Sequence, residues 1–356
     1  MKKIAFYISD HGFGHASRNI PIIRYILEER NDIRIYIKTG IKQGEFIKDS
    51  LMDLNRSNNV IFDLFNVDIG LVLKKNSLDI DVYKLNKKVT EYIDSWDDKR
   101  KKEKEFLIKN NINSVICDIV PWILKVTNEL KIKSLLISNF TWVDIYEEYL
   151  NKEICNKFKE CYELVDKTFL YDLYMDSMKK YITNYDEVGL ICRKFNLEKV
   201  KEIKSKYKKP IVFVSIGRSV EVDKVIDVSS LNYNFIVTEG INLKGDNVTY
   251  LPVSTNNTHE YIKASDYVIT KAGWGTVAEC LIANKKIALL SRDGVAEDKN
   301  TIDKLVNRNL AIKIESNNLN IKDTLERLKK FSPSYDVNES DNCDQIIVNK
   351  ILHMFN

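Results

Sequence analysis

The chain has 356 residues, long enough for two domains. Hydrophobic residues make up 44% and charged residues 30%, the balance of an ordinary globular protein. The net charge of +4, from 55 Lys and Arg against 51 Asp and Glu, is far from the basic excess of a dedicated nucleic-acid binder, and no stretch approaches a membrane span in length.

Six cysteines, at 117, 155, 161, 192, 280 and 343, are scattered with no C-x-x-C pair. They read as reduced and buried, which predicts a cytoplasmic protein. Ile4-Ala-Phe-Tyr-Ile-Ser9 predicts a strand buried on both faces. Its apolar run is too short for a signal peptide. Asp10-His-Gly-Phe-Gly-His-Ala-Ser-Arg18 follows and leads into a helix through about Glu29. Strand, glycine loop and helix make the opening of a doubly wound sheet.

Gly12 and Gly14 give a partial match to a dinucleotide fingerprint. The next strand, Ile33 to Ile37, ends in Lys38-Thr39 and not in the acidic residue a nicotinamide-binding unit wants. Two of the four histidines, His11 and His15, lie in this turn. A loop histidine is more often structural. At the mouth of an α/β sheet, His15 is also a candidate for acid–base chemistry.

Val60 to Val67 reads as a strand, followed by Asp68-Ile-Gly70 and a polar loop from Lys74 to Asp81. A helix of mixed charge is predicted from about Val82 to Asn110, with the Lys99–Glu105 run as its solvated face. Asp79-Ile-Asp81 is a D-x-D triplet of the kind that holds a divalent metal elsewhere. Beside a lysine-rich turn it reads as a chance match, so no metal site is expected. Ser114-Val-Ile-Cys-Asp118 is a strand ending in an acid. Ligands of open parallel sheets sit outside the strand C-termini, so His15 and Asp118 are predicted at one edge. Ser134 to Ser138 is the next strand, ending in Asn139-Phe-Thr-Trp142, and the aromatic-rich chain beyond reads as helical through Tyr185.

A lysine-rich helix over 196–208 leads to Pro210-Ile-Val-Phe-Val-Ser215, the first strand of a second sheet. In the glycine loop after it, Gly217 and Ser219 offer phosphate N–H donors and Arg218 a charge. Asn234 to Val237 and Val248 to Leu251 read as further strands. Asp266 to Thr270 reads as a short buried strand and Val277 to Asn284 as a helix, with Gly273 and Gly275 between them and Thr276 placed to cap. A strand, a glycine turn and a helix N-terminus make an anion site, although the same residues fit a tight turn in any α/β unit. Lys271 supplies a point charge there. Glu279, one turn inside the helix, could accept hydrogen bonds from a sugar diol. Ile287 to Leu290 is a strand, and Asn342 to Asn356 a short amphipathic helix. No repeat of 20–50 residues is visible.

Lys271-Ala-Gly-Trp-Gly-Thr-Val-Ala-Glu279 resembles the donor-site signature of nucleotide-sugar glycosyltransferases of the GT-B fold, which plant-type enzymes write His-Cys-Gly-Trp-Asn-Ser-x-x-Glu. His11-Gly-Phe-Gly-His15, Asp118-Ile-Val-Pro121, Ser138-Asn-Phe-Thr-Trp142 and Asp144-Ile-Tyr146 carry the resemblance over most of the chain, to the glycosyltransferase-like N-terminal half of plant L-arabinokinase. The resemblance implies an α/β chain of GT-B class: two Rossmann-like, doubly wound domains facing across a cleft. An acceptor-side domain is expected over residues 1–190 and a donor domain over 191–340. Val188 to Cys192 and Arg193 are similar to the hinge, and a helix over 341–356 would return to the first domain.

It further implies an inverting, metal-independent transfer of a sugar from a UDP-type donor to an unidentified acceptor hydroxyl, with no cofactor. His15 would be the base and Asp118 its orienting acid. Gly14, Gly217, Arg218, Ser219, Lys271, Gly273, Trp274, Gly275 and Thr276 would meet the donor, chiefly its diphosphate. Val253 would lie at the nucleobase and Glu279 at the ribose, with Glu297 and Asp298 on the sugar. Lys271, Gly275 and Asp298 depart from the plant-type pattern, which has His, Asn and Gln there. A GT-B epimerase or hydrolase, or a non-catalytic nucleotide-sugar-binding module, is the alternative.

Overall fold

The computed structural model describes residues 1–54, 57–74, 79–216, 222–238, 240–292, 294–315, 319–334 and 341–355. Gly217, Arg218 and Ser219 lie outside the described residues. The chain divides into two compact units. Met1–Val72, Ile80–Ile191 and Cys343–Asn356 form the first, and Leu73–Asp79 with Cys192–Asn342 form the second.

The first unit runs β1 (Lys2–Ile8), α1 (Gly14–Glu29), β2 (Ile33–Thr39), α2 (Ile41–Ser50), β3 (Val60–Leu64), α3 (Val82–Asp94), α4 (Trp96–Lys109), β4 (Ser114–Asp118), α5 (Trp122–Leu130), β5 (Lys133–Ser138), α6 (Trp142–Tyr146), α7 (Lys152–Tyr162), β6 (Lys167–Tyr171) and β7 (Tyr185–Gly189). Its seven strands are parallel in the order β3-β2-β1-β4-β5-β6-β7. The central strands carry apolar side chains toward both faces because helices cover both faces. The strand order reverses between β1 and β4, the place where open parallel sheets take their ligands beyond the strand C-termini.

Three expectations are corrected here. The long helix of 82–110 is two helices, because the Ser95 hydroxyl donates to Tyr92 O at 2.6 Å and the chain turns to seat Trp96 edge-on against Tyr92 and Phe158. The strand expected to reach Val67 stops at Leu64. The stretch after Trp142 is not all helix, since β6 and β7 extend the sheet. β6 hides in aromatic-rich sequence, and β7 is an edge strand with few buried residues.

The second unit contains α8 (Leu197–Ser205), β8 (Ile211–Ser215), β9 (Val222–Asp227), β10 (Asn234–Val237), β11 (Ile241–Lys244), β12 (Val248–Tyr250), α9 (Thr258–Ala264), β13 (Tyr267–Lys271), α10 (Trp274–Ile282), β14 (Lys286–Ser291), α11 (Ala296–Asn307), β15 (Ala311–Glu315) and α12 (Ile321–Lys330). Six strands pair in parallel in the order β12-β10-β8-β13-β14-β15, and β9 and β11 form a separate parallel ribbon. Val212, Val214, Phe235, Ile269 and Leu290 anchor its core together with Leu325 and Leu328 of α12. The order reverses between β8 and β13. There Thr270 Oγ1 donates to Ser215 O at 2.7 Å.

After Asn342 the chain rejoins the first unit as α13 (Asp344–Met354), which packs on α1. Lys2 Nζ donates to Phe355 O at 3.3 Å and Lys133 Nζ to Met354 O at 2.9 Å. Lys350 pairs with Asp186 at 2.8 Å. Gly189, at φ +79°, admits the segment, since a Cβ there would lie 2.7 Å from Cys343 Sγ. All six cysteines are free. Five are buried as expected, and Cys343 is only half-buried. Among the described residues, no helix is long and apolar enough to cross a membrane.

Candidate active site

In the first unit, α1 begins at Gly14, so His15 sits in its first turn and not on the loop before it. β4 ends at Asp118, and the two side chains meet at the reversal between β1 and β4. His15 Nδ1 lies 2.8 Å from Asp118 Oδ1, with His15 only 6% exposed and Asp118 fully buried. The ring rests edge-on against Phe140. Ile119, next after Asp118, is held in the left-handed region at φ +57°, unusual for a β-branched residue. Its carbonyl accepts from Tyr162 Oη at 2.6 Å, which fixes the turn that presents the acid.

The sequence analysis missed two partners of this pair, Arg18 and Asn19, and the residue that holds Arg18, Asn139. Arg18 Nε donates to Asp118 Oδ2 at 2.8 Å, and Arg18 Nη2 donates to Oδ1. Asn19 Nδ2 donates to Oδ2 at 2.6 Å. Asn139 Oδ1 accepts from Arg18 Nη1 at 2.5 Å. Burial alone would raise the Asp118 carboxyl, but Arg18 and His15 outweigh it and hold it down to about 2. The signal for Arg18 was its place three residues after His15 on one helix face.

Beside this cluster lies a pair of acids. Asp68 is buried below Asp10, with Asp10 N–H donating to Asp68 Oδ1 at 3.2 Å and Asp68 N–H to Asp10 Oδ1 at 3.3 Å. Trp142 Nε1 donates to Asp68 Oδ2 at 3.0 Å. Burial, then the hydrogen bond and charge of Asp10, push the Asp68 carboxyl well above its usual range. Gly70 completes this corner, because a Cβ there would lie 1.7 Å from the His11 ring. His11 itself is exposed and packs edge-on against Trp142. The Thr141 and Asp144 motif residues form a capping box that starts α6 and so aims Trp142 inward.

In the second unit, β13 ends at Lys271 and α10 starts at Trp274, three residues earlier than expected. Gly273 is the N-cap, so Thr276 lies inside the first turn and does not cap. The first intrahelical bond runs from Val277 N–H to Gly273 O at 3.0 Å, so the amides of 274–276 belong to the first turn of α10. Trp274 is 2% exposed, so its ring belongs to the core and only its amide belongs to the turn. Burial and then the charge of Arg292 lower the Lys271 ammonium, with Asp298 and Glu297 opposing them.

Arg292, at the end of β14, was also missed. It grips Asp298 through Nε and Nη2 at 2.5 and 2.6 Å, and Asp298 is fully buried. The side chain expected on the sugar is thus engaged by a cation, while Glu297 is half-buried. Glu279 is likewise engaged, since Arg193 Nε and Nη2 both lie 2.8 Å from its Oε1. Arg193 also donates to Asn256 O and, at 3.2 Å, to Thr258 Oγ1. Val253 is exposed in the loop after β12. Gly14 opens α1 in the first unit, and a Cβ there would meet nothing within 4 Å. Asp81 of the D-x-D triplet caps α3 by accepting from Lys84 N–H at 3.0 Å, and Asp79 pairs with Lys74 at 3.5 Å.

Residues 197–345 match the glycosyltransferase family 28 C-terminal domain. L-arabinokinase of Arabidopsis thaliana is 23% identical over 321 residues, which cover 83% of this chain. The match spans 28% of the length of that relative. The structure of Arabidopsis thaliana UGT89C1 with UDP-L-rhamnose superposes with a TM-score of 0.68 at 13% identity, covering 99% of this chain and 98% of that one. CalG4, the calicheamicin glycosyltransferase, gives 0.62 at 11% identity over 99% and 98%. Phytolacca americana UGT2 with UDP-2fluoro-glucose and pterostilbene gives 0.62 at 12% over 98% and 94%. The chain has the GT-B fold.

Proposed function

We propose that this chain of GT-B fold, with its family 28-like C-terminal domain, is an inverting glycosyltransferase that uses a UDP-type nucleotide sugar and no metal. The observation that carries the reading is the 2.8 Å contact between His15 Nδ1 and the fully buried Asp118 at the strand reversal. A module that only bound a nucleotide sugar would have no need of an oriented imidazole. His15 takes the proton of the acceptor hydroxyl, and Asp118 holds the ring in the tautomer that leaves Nε2 bare. The amides of 274–276, Lys271 and Arg292 hold the diphosphate and stabilise the charge it gains on leaving. Glu279, fixed by Arg193, reads the ribose. The solved structures that share the fold include complexes with UDP-L-rhamnose and UDP-2fluoro-glucose, which supports a UDP-type donor. The free cysteines support a cytoplasmic site of action.

A second reading, donor binding or hydrolysis without an acceptor, draws on the likeness to a relative named as a kinase. Single-turnover rates with UDP-sugars and pooled acceptor alcohols separate the two. In the proposed reading, His15→Ala lowers turnover by about 10²–10⁴ with donor affinity nearly constant, and His11→Ala does not. An equal, small effect from both substitutions, or sugar release at full rate without acceptor, would move the weight to the second reading.

A further inference from the structure

Asp118 holds more partners than an orienting acid requires. Oδ1 meets His15 Nδ1 and Arg18 Nη2, and Oδ2 accepts from Arg18 Nε and Asn19 Nδ2. A buried carboxylate alone beside an imidazole favours the protonated ring. A guanidinium gripping both oxygens of that carboxylate cancels the field at its source. Arg18 is itself immobilised. Nη1 donates to Asn139 Oδ1, Nη2 lies 3.1 Å from Ser138 Oγ, and the guanidinium carbon sits 5.4 Å from the Tyr171 ring centre. Arg18 Nη2 also comes within 2.9 Å of His15 Nδ1. Among the described residues, the charged groups in contact with the imidazole are Asp118 from β4 and Arg18 from α1, and the Asp10 and Asp68 acids lie beyond them. Ser138, Asn139 and Phe140 after β5 carry no charge, and burial keeps the Tyr171 phenol of β6 protonated.

We infer that Arg18 is a positioning residue for His15: it takes up the charge of Asp118, so that the carboxylate orients the imidazole without fixing a second proton on it. The inference rests on the reading of His15 as a base and specifies how that base stays bare. It also accounts for an arginine buried to 3% exposure on the helix that carries the histidine, a placement that packing alone would fill with an apolar side chain.

The test is a histidine Cε1–H NMR titration of the full, ligand-free chain, with the His15 signal among the four histidines assigned by its loss in His15→Gln. In Arg18→Met the His15 midpoint moves to higher pH by at least about tenfold in proton concentration. The acid limb of the single-turnover rate moves with it. Arg18→Lys keeps a cation without the fork and holds the midpoint close to that of the parent. Asp118→Asn leaves the cation alone beside the ring and moves the midpoint the other way, and Arg18→Met/Asp118→Asn returns it toward the parent. If Arg18→Met does not fold, the last two variants decide the matter. A double variant equal to Asp118→Asn overturns the inference, as does Arg18→Met at the parental midpoint or Arg18→Lys matching Arg18→Met. The titration needs no turnover, so the two ideas fail separately. Full activity in His15→Ala removes the base and leaves the charge relation standing, whereas an unmoved midpoint with an inactive His15→Ala does the reverse.

Discussion

Replacing Glu279 by Gln tests the donor assignment most directly, because the structure predicts two effects that different assays separate. Glu279 and Arg193 form a buried ion pair with side chains 5% and 7% exposed. Gln keeps the shape and removes the charge. Arg193 then loses its anion but keeps Asn256 O and Thr258 Oγ1, so the stability cost should sit near the low end for a broken buried pair, about 3 kcal/mol. Urea unfolding without ligand measures it. If Glu279 also reads the ribose, UDP affinity falls by about 1.5–3 kcal/mol, or roughly 10–150-fold in Kd. Calorimetry with UDP and with 2′-deoxy-UDP isolates the diol. The parent should prefer UDP, and Glu279→Gln should lose most of that preference. A UDP to 2′-deoxy-UDP ratio untouched by the substitution would refute the ribose role and leave Glu279 as the structural partner of Arg193.

Turnover should survive EDTA, with Lys271, Arg292 and the α10 amides doing the charge work. Loss of rate restored by Mg²⁺ would return attention to Asp79 and Asp81, although Asp81 is already spent on the α3 cap. Two buried acids of the first unit, Asp118 and Asp68, should give pH effects of opposite sign. Asp118 is lowered from 3.8 to about 2, so its contribution of about 2 kcal/mol is present above pH 3.8 and lost as the pH falls toward 2. Asp118→Asn should flatten urea stability over that window. Asp68 is raised, so its contribution is present below the ordinary carboxylate range and lost as the pH climbs through its folded value. Asp68→Asn should therefore gain on the parent at pH 7 relative to pH 4, and an equal difference at both pH values would contradict the raised Asp68 carboxyl. Deleting residues 343–356 uncovers the buried Ile347, Val348 and Ile351, worth about 5–8 kcal/mol in all, and should unfold the first unit in near-UV circular dichroism.

The central strands were legible because a parallel sheet covered on both faces leaves unbroken apolar runs such as Ile4–Ile8 and Val212–Val214. The edge was not legible. β7 reads Tyr-Asp-Glu-Val-Gly, and only Val188 is buried. His15 and Asp118 could be brought together because topology alone sends both to the C-terminal edge. Helix spacing put Arg18 on the face of His15, but its grip on Asp118, like those of Arg193 on Glu279 and Arg292 on Asp298, could not be foreseen, since each depends on side-chain reach that spacing does not encode. The helix start at Trp274 was misjudged for a related reason. Gly273 caps through its backbone and leaves no polar side chain to announce the boundary.

The return of α13 to α1 gives the chain an order of assembly. The first sheet has all seven strands once Gly189 has been made, yet α1 lacks the cover of α13 until residues 344–354 emerge. About 150 residues of the second unit come between. At about 5–20 residues per second, that leaves a wait of roughly 8–30 s in which an apolar stripe of α1 faces the solvent or a chaperone. The face of α1 that α13 covers is therefore closed only after the second unit has been made, and a ribosome stalled anywhere in the second unit leaves it open.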